Sequence, residues 1–228
     1  VLKLCKQYGI TFDLECHPSE RAMGDLESAT DYLAAMDKAG FGADVVGFNL
    51  DGSQWGFGLG NYVVKTKGWK RVATIAADYS FGYTNFMGFA VDFCKSGGDI
   101  VQRFWQPLGQ SDFGGIIAQL PDNVDAIYLG LGGTDAINFL NQYQQAGEKT
   151  RLIGGTIMAD QTVLTAKGKA KDVLKGTPTS GPFATDNTDP AWTAYVKLYQ
   201  DSFPAKDRFP SPSLFGLGYY TATLAAIK

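Results

Sequence analysis

The chain has 228 residues, 45% hydrophobic and 13% aromatic, enough to bury a full core in one or two domains. Twenty Lys and Arg against 23 Asp and Glu leave a net charge of -3, so no basic field draws it to nucleic acid or to an anionic membrane. Its longest apolar runs, such as that around Ile127 to Leu131, fall far short of the roughly 20 residues that a membrane helix needs.

Three cysteines, Cys5, Cys16 and Cys94, form no CxxC pair, so neither a zinc site nor a disulfide framework is indicated. The chain opens on Val1 and stops at Lys228 inside an apolar helical pattern, Leu214, Tyr219, Tyr220 and Leu224. It reads as a fragment, so the lack of a signal peptide does not argue for the cytoplasm.

In chain order, VLKLCKQY suits a helix and ITFDLE a strand. LESATDYLAAMDKA is a helix with Leu26, Ala29, Leu33 and Met36 on one face, and DVVGFNL is a second strand. The only histidine, His17, stands next to Pro18 and suits a turn better than a metal. After the glycine-rich GFGLGNY (56–62), RVATIAA (71–77) is a β-branched apolar run. The next segment carries Phe86, Phe89, Ala90, Phe93 and Cys94 at helical offsets, and Gly97-Gly98 ends it. DIVQRFW (99–105) restarts an extended segment. Ser111 or Asp112 then caps a helix that buries Phe113, Ile116, Ile117 and Leu120. DAIYLGL (125–131) is a strand of the buried type. Thr134 caps a third helix with Ile137, Leu140 and Tyr143 inward and Gly147 at its end, and RLIGG (151–155) is the fourth strand. Strands joined by helices of about ten to fourteen residues predict an α/β fold with a parallel, doubly wound sheet.

Ligands of such sheets bind beyond the carboxyl ends of the strands, where loops and helix N-termini converge. That rule selects Asp78 to Gly82, Gly132 to Asp135 and Gly155 to Asp160, all rich in hydroxyls, carboxylates or aromatics. Gly130-Leu131-Gly132-Gly133 fails as a dinucleotide fingerprint, because Asp135 occupies the third glycine position. A lone histidine and the absence of GxSxG leave no support for a nucleophilic triad.

Six segments in order carry a family resemblance: KGWKRVATIAADYSFGY (67–83), LGQSDFGGIIAQL (108–120), DAIYLGLGGTDAINFLNQYQQAG (125–147), LIGGTIMADQTVL (152–164), GTPTSGPFATDNTDPAWTAYVKLYQDSFP (176–204) and PSPSLFGLGYYTATLAA (210–226). From about residue 55 onward the chain resembles the type 1 periplasmic solute-binding proteins of ABC importers, of the branched-chain amino acid kind. The resemblance implies two α/β lobes that close on a small molecule without changing it. It also implies a periplasmic or extracellular location, an ABC transporter permease as partner and no cofactor. The chain would cross between lobes near FNLDGSQW (48–55), build the ligand-binding lobe over 55–182 and return over 183–228, a partial second lobe. The stripe Trp192, Tyr195 and Tyr199 reads as core packing.

Carried over, the aromatic of the first loop is Phe81, with Tyr79 and Ser80 beside it, and Phe215 lines the cleft. Thr134 belongs to the second loop. Thr156 stands where amino-acid binders of the family often place an acid, so an ordinary α-amino acid is not the expected ligand. An amide or small organic acid joins it as a candidate. Asp135 or Asp160 would supply the missing charge, although both also suit helix N-termini.

Residues 1–54 instead resemble part of the sugar phosphate isomerase/epimerase barrels. That resemblance puts metal-binding carboxylates at Glu15 and Asp51, with His17 and Gln54 near them, and implies a divalent-metal-dependent isomerase as the alternative function. Two βα units cannot close a barrel of about 200 residues or more, and Gln54 replaces an expected histidine, so no working isomerase is expected. The expectation is a βα unit joined from another family near FNLDGSQW, where both families carry a similar string.

Overall fold

A computed structural model describes residues 52–168, 170–182, 184–213, 215–217 and 220. The readings of residues 1–51, including Glu15, His17 and Asp51, lie outside the described residues. By contact the chain falls into two compact units, residues 1–50 with 216–228 and residues 51–215. Every element named here lies in the second.

Four strands, β1 (Arg71–Ala77), β2 (Asp99–Gln106), β3 (Ala126–Gly130) and β4 (Arg151–Gly154), form one sheet in the order β2-β1-β3-β4. All pairings are parallel, with Val72 opposite Ala126 and Ala76 opposite Gly130 at the centre. The chain first steps from β1 to β2, then crosses back past β1 to β3 and continues to β4, so the expected doubly wound α/β sheet is present. Among the described strands β1 and β3 are buried on both faces, which explains their unbroken apolar runs, whereas β2 is half-exposed at the sheet edge.

Helix α1 (Gly52–Gly56) and helix α2 (Leu59–Lys65) precede the sheet, and α3 (Ser80–Lys95) connects β1 to β2. These three cover one face, burying Val63, Phe86, Phe89 and Phe93 against Val72, Tyr128 and Ile153. Short α4 (Gly114–Ile117) and α5 (Gly133–Gln145) cover the other face. There Phe113, Ile117, Phe139, Leu140 and Tyr143 meet Ile75, Ile127, Leu129 and Leu152. Placing α3 on one face and α4 and α5 on the other is what crossovers of one hand require once the winding reverses. Helices α6 (Gln161–Leu164), α7 (Ala170–Val173) and α8 (Pro190–Ser202) follow β4. In α8 Trp192 is buried and Tyr195 and Tyr199 are half-buried, in keeping with core packing.

Three local expectations are corrected. Thr134 does not cap α5: the extended residue before the helix is Gly132, and Thr134 is an exposed residue of the first turn. The helix after β2 is one turn long, because Gly114 and Gly115 are poor helix formers and Pro121 stops further winding. Phe113 and Ile117 are still buried, and Asp112 accepts from the Gly114 amide at 2.9 Å. Cys94, read on the apolar stripe of α3, is exposed and unpaired.

Glycine spacing fixes how α1 and α2 sit on α3. Gly52, Gly56 and Gly60 recur every fourth residue against α3; Gly52 meets the Thr84 side chain, and Gly56 and Gly60 face the helix backbone, where a Cβ on Gly60 would lie 2.3 Å from the Phe93 nitrogen. A Cβ on Gly88 would lie 1.9 Å from the Ser53 carbonyl oxygen. Only glycine permits this backbone-to-backbone approach. None of the described helices is long and apolar enough to cross a membrane.

Candidate functional site

The winding reverses between β1 and β3, so the crevice beyond their carboxyl ends is the place where an open sheet of this kind holds a ligand. A cavity of about 280 Å³ lies there, lined by Tyr79, Gly132, Gly133, Asp135, Ile157 and Asp160 among others. It therefore draws on all three loops that strand order singles out. A larger cavity of about 520 Å³, bordered by Trp69, Lys149, Arg151, Asp172 and Lys175, lies at the opposite end, where β4 begins. Topology and the aromatic side chains favour the smaller one.

Those aromatics form a cluster. Trp55 of α1 lies 4.8 Å from Phe215 and 5.7 Å from Phe81, centroid to centroid, and Phe81 lies 6.1 Å from Tyr79. All four are half-buried, so each ring keeps part of its surface open. Tyr79 belongs to both the cluster and the cavity and joins the two. Burial first, and the nearby Asp135 carboxylate second, raise its phenol above the ordinary value, so it stays a neutral donor. The Ser80 hydroxyl beside it is buried and has no hydrogen-bond partner among the described residues.

The carboxylates at this end already hold protein donors. Asp78 accepts from the Tyr83 hydroxyl. Asp135 accepts from the Gly109 amide at 2.9 Å, tying the loop after β2 to α5. Asp160 caps α6 by accepting from the Thr162 amide at 3.2 Å and hydroxyl at 3.1 Å, and it takes the Ser213 hydroxyl at 3.2 Å as well. Asp160 thus serves a helix N-terminus in the way its sequence position suggests, whereas Asp135, in the first turn of α5, holds a loop amide instead.

Thr156 departs from the expected cleft lining. It is 0% exposed, and its hydroxyl accepts from the Asn85 carboxamide at 3.0 Å inside the sheet–helix interface. Thr134 is exposed and does not line the cavity. Of the expected residues, Phe81, Phe215 and Tyr79 come together in the aromatic cluster, and Tyr79, Asp135 and Asp160 in the cavity. Trp55 is the member that sequence reasoning missed. Its signal was an aromatic inside GSQW, just ahead of glycines at a four-residue spacing.

Gln54 is exposed on α1, and among the described residues no group of three or more His, Cys, Asp and Glu could hold a metal. The set offers ring surface, two hydroxyls and committed carboxylates, which suits holding a molecule.

The family model described as periplasmic binding protein matches residues 34–228. The chain belongs to that family. The match takes in residues 34–54, part of the stretch that resembles isomerase barrels, and gives that part to the periplasmic binding proteins. The family is a solute-binding, non-enzymatic class. No curated protein was found to match.

Among solved structures, a solute-binding protein of an ABC transporter from R. palustris in complex with benzoate has a TM-score of 0.71 at 20% identity, covering 87% of this chain and 58% of its own. A solute-binding protein from Rhodopseudomonas palustris BisB5, in complex with 3,4-dihydroxybenzoic acid, gives 0.70 at 21%, covering 89% and 59%. A leucine-binding protein from Thermotoga maritima gives 0.60 at 20%, covering 78% and 48%. At these identities the likeness establishes the type 1 periplasmic binding protein fold. The chain spans 48% to 59% of the length of these three proteins.

Proposed function

We propose that this chain is the solute-binding component of an ABC importer, located in the periplasm or outside the cell, which delivers a small organic molecule to a permease and catalyses no reaction. Residues 55–182 are then the ligand-binding lobe and 183–228 the beginning of the return to the other lobe. Closure of the lobes is a shift between open and closed populations, driven by the tighter binding of the closed form.

The observation that carries this reading is the aromatic cluster of Trp55, Phe81, Phe215 and Tyr79 beside a cavity at the reversal of the winding. Ring surface with two hydroxyls favours a flat organic acid. Benzoate and 3,4-dihydroxybenzoic acid, bound by two proteins of this fold, are of that kind. Leucine is disfavoured, because Thr156 replaces the acid and is buried, while Asp135 and Asp160 already serve backbone donors.

A thermal melt of the full chain with benzoate, 3,4-dihydroxybenzoate, leucine or manganese chloride tests it. An aromatic acid at about a hundred times its Kd raises Tm by roughly 5–10 °C, and leucine at equal concentration raises it less. No rise with any organic solute, or a rise with manganese alone, overturns the receptor reading.

A further inference from the structure

We infer that Asn85 is a positioning residue for the binding site, holding in one register the segments that deliver its ring surface and its cavity wall. Asn85 stands four residues after Phe81 on α3 and hence on the same helix face. It is 2% exposed, and its carboxamide reaches three other elements. The Nδ2 donates to the Gly52 carbonyl at 3.3 Å, three residues before Trp55, and to the Thr156 hydroxyl at 3.0 Å. The Oδ1 accepts from the Tyr128 hydroxyl of β3 at 2.9 Å and from the Thr156 amide at 3.4 Å. Gly52 can only accept and the Thr156 amide can only donate, so these two partners fix which way the carboxamide points.

The contact is close as well as bonded. A Cβ on Gly155 would lie 2.9 Å from Asn85 Oδ1 and 3.0 Å from the Tyr128 hydroxyl, and the Gly155 amide donates to Leu129 at 2.7 Å. The loop after β4, which brings Ile157 and Asp160 to the cavity, is therefore seated directly on this carboxamide. The helix that carries Trp55 is tied to the same group through Gly52. In a buried site such a network is satisfied only in one arrangement, so the aromatic wall and the cavity wall are set together. An asparagine that serves packing alone would not join these two surfaces.

The test uses the full chain with Asn85→Ala, Tyr128→Phe and, as control, Tyr143→Phe, which removes a buried hydroxyl bonded to Thr150 away from these segments. Hydrogen exchange is read over peptides spanning 52–60 and 155–164. Asn85→Ala accelerates exchange in both peptides together, by about tenfold, and Tyr128→Phe does so in the same two to a smaller degree. Tyr143→Phe leaves them unchanged. Faster exchange confined to α3, or spread evenly over all strands, overturns the assignment. If Asn85→Ala does not fold, Tyr128→Phe alone decides, and no change in either peptide overturns it.

A second readout rests on the proposed receptor function. With the organic acid that raises Tm, Asn85→Ala weakens Kd by about tenfold while Tyr143→Phe does not, each measured well below its own Tm. Equal losses in both variants overturn the positioning role. The exchange readout needs no ligand, so a failure of the receptor reading stays distinguishable from a failure of this one.

Discussion

Trp55 is the side chain whose role is sharpest, because it touches both Phe81 and Phe215 and keeps part of its ring open. An aromatic pair contributes about 0.5–1.5 kcal/mol beyond its area, so Trp55→Ala weakens binding of an aromatic acid by roughly two- to tenfold. Isothermal titration against the parent chain measures this, and an unchanged Kd removes Trp55 from the site. Sequence could not reveal its role, since ring contacts between residues 55, 81 and 215 depend on how α1 sits on α3. Phe81 and Phe215 were readable because they fall in segments with a family pattern. Thr156 was readable as a departure from that pattern but not as a buried hydroxyl. Its partner Asn85 lies 71 residues earlier and carries no local signal.

Elements were readable wherever local pattern and tertiary burial agree. Strands β1, β3 and β4 are short apolar runs because the sheet is covered on both faces, and α3 and α5 follow from apolar residues at helical spacing. The pattern misled at α4, where apolar spacing continued through two glycines that helix propensity does not support. It was silent on why GFGLGNY is rich in glycine, which the contact with α3 answers. Gly88→Ala is therefore a strong test of that interface, since the new methyl would stand 1.9 Å from the Ser53 carbonyl oxygen. The helices must separate, at a cost of about 1–3 kcal/mol. Urea unfolding should show this loss together with a change in the native tryptophan emission, to which Trp55 contributes. Full stability in the variant would mean that α1 does not pack as described.

Among the described residues a sheet is joined to two core clusters, and each cluster contains a buried tyrosine whose ionisation the fold opposes. Tyr128, on β3, packs in the cluster facing α3, and Tyr143, on α5, packs in the cluster on the other face of the sheet. Burial pushes the Tyr143 phenol up to about 12, against a hydrogen bond to Thr150 that pulls the other way, and burial raises Tyr128 strongly as well. An unfolded chain releases both protons near the ordinary value of 10.0. Below that pH both states hold their protons and these groups leave stability unchanged. As pH rises from about 10 to about 12 the unfolded state binds fewer protons than the folded one, so stability falls with pH across that window. Denaturant unfolding at stepped pH, followed by phenolate absorbance, checks this: loss of structure and appearance of the buried phenolates should coincide. Tyr143→Phe removes one of the two groups and makes the fall shallower, whereas an identical slope would place the alkaline sensitivity elsewhere. Because the two tyrosines lie on opposite faces of one sheet, a single cooperative transition is expected, and two separate steps would mean that the clusters open independently.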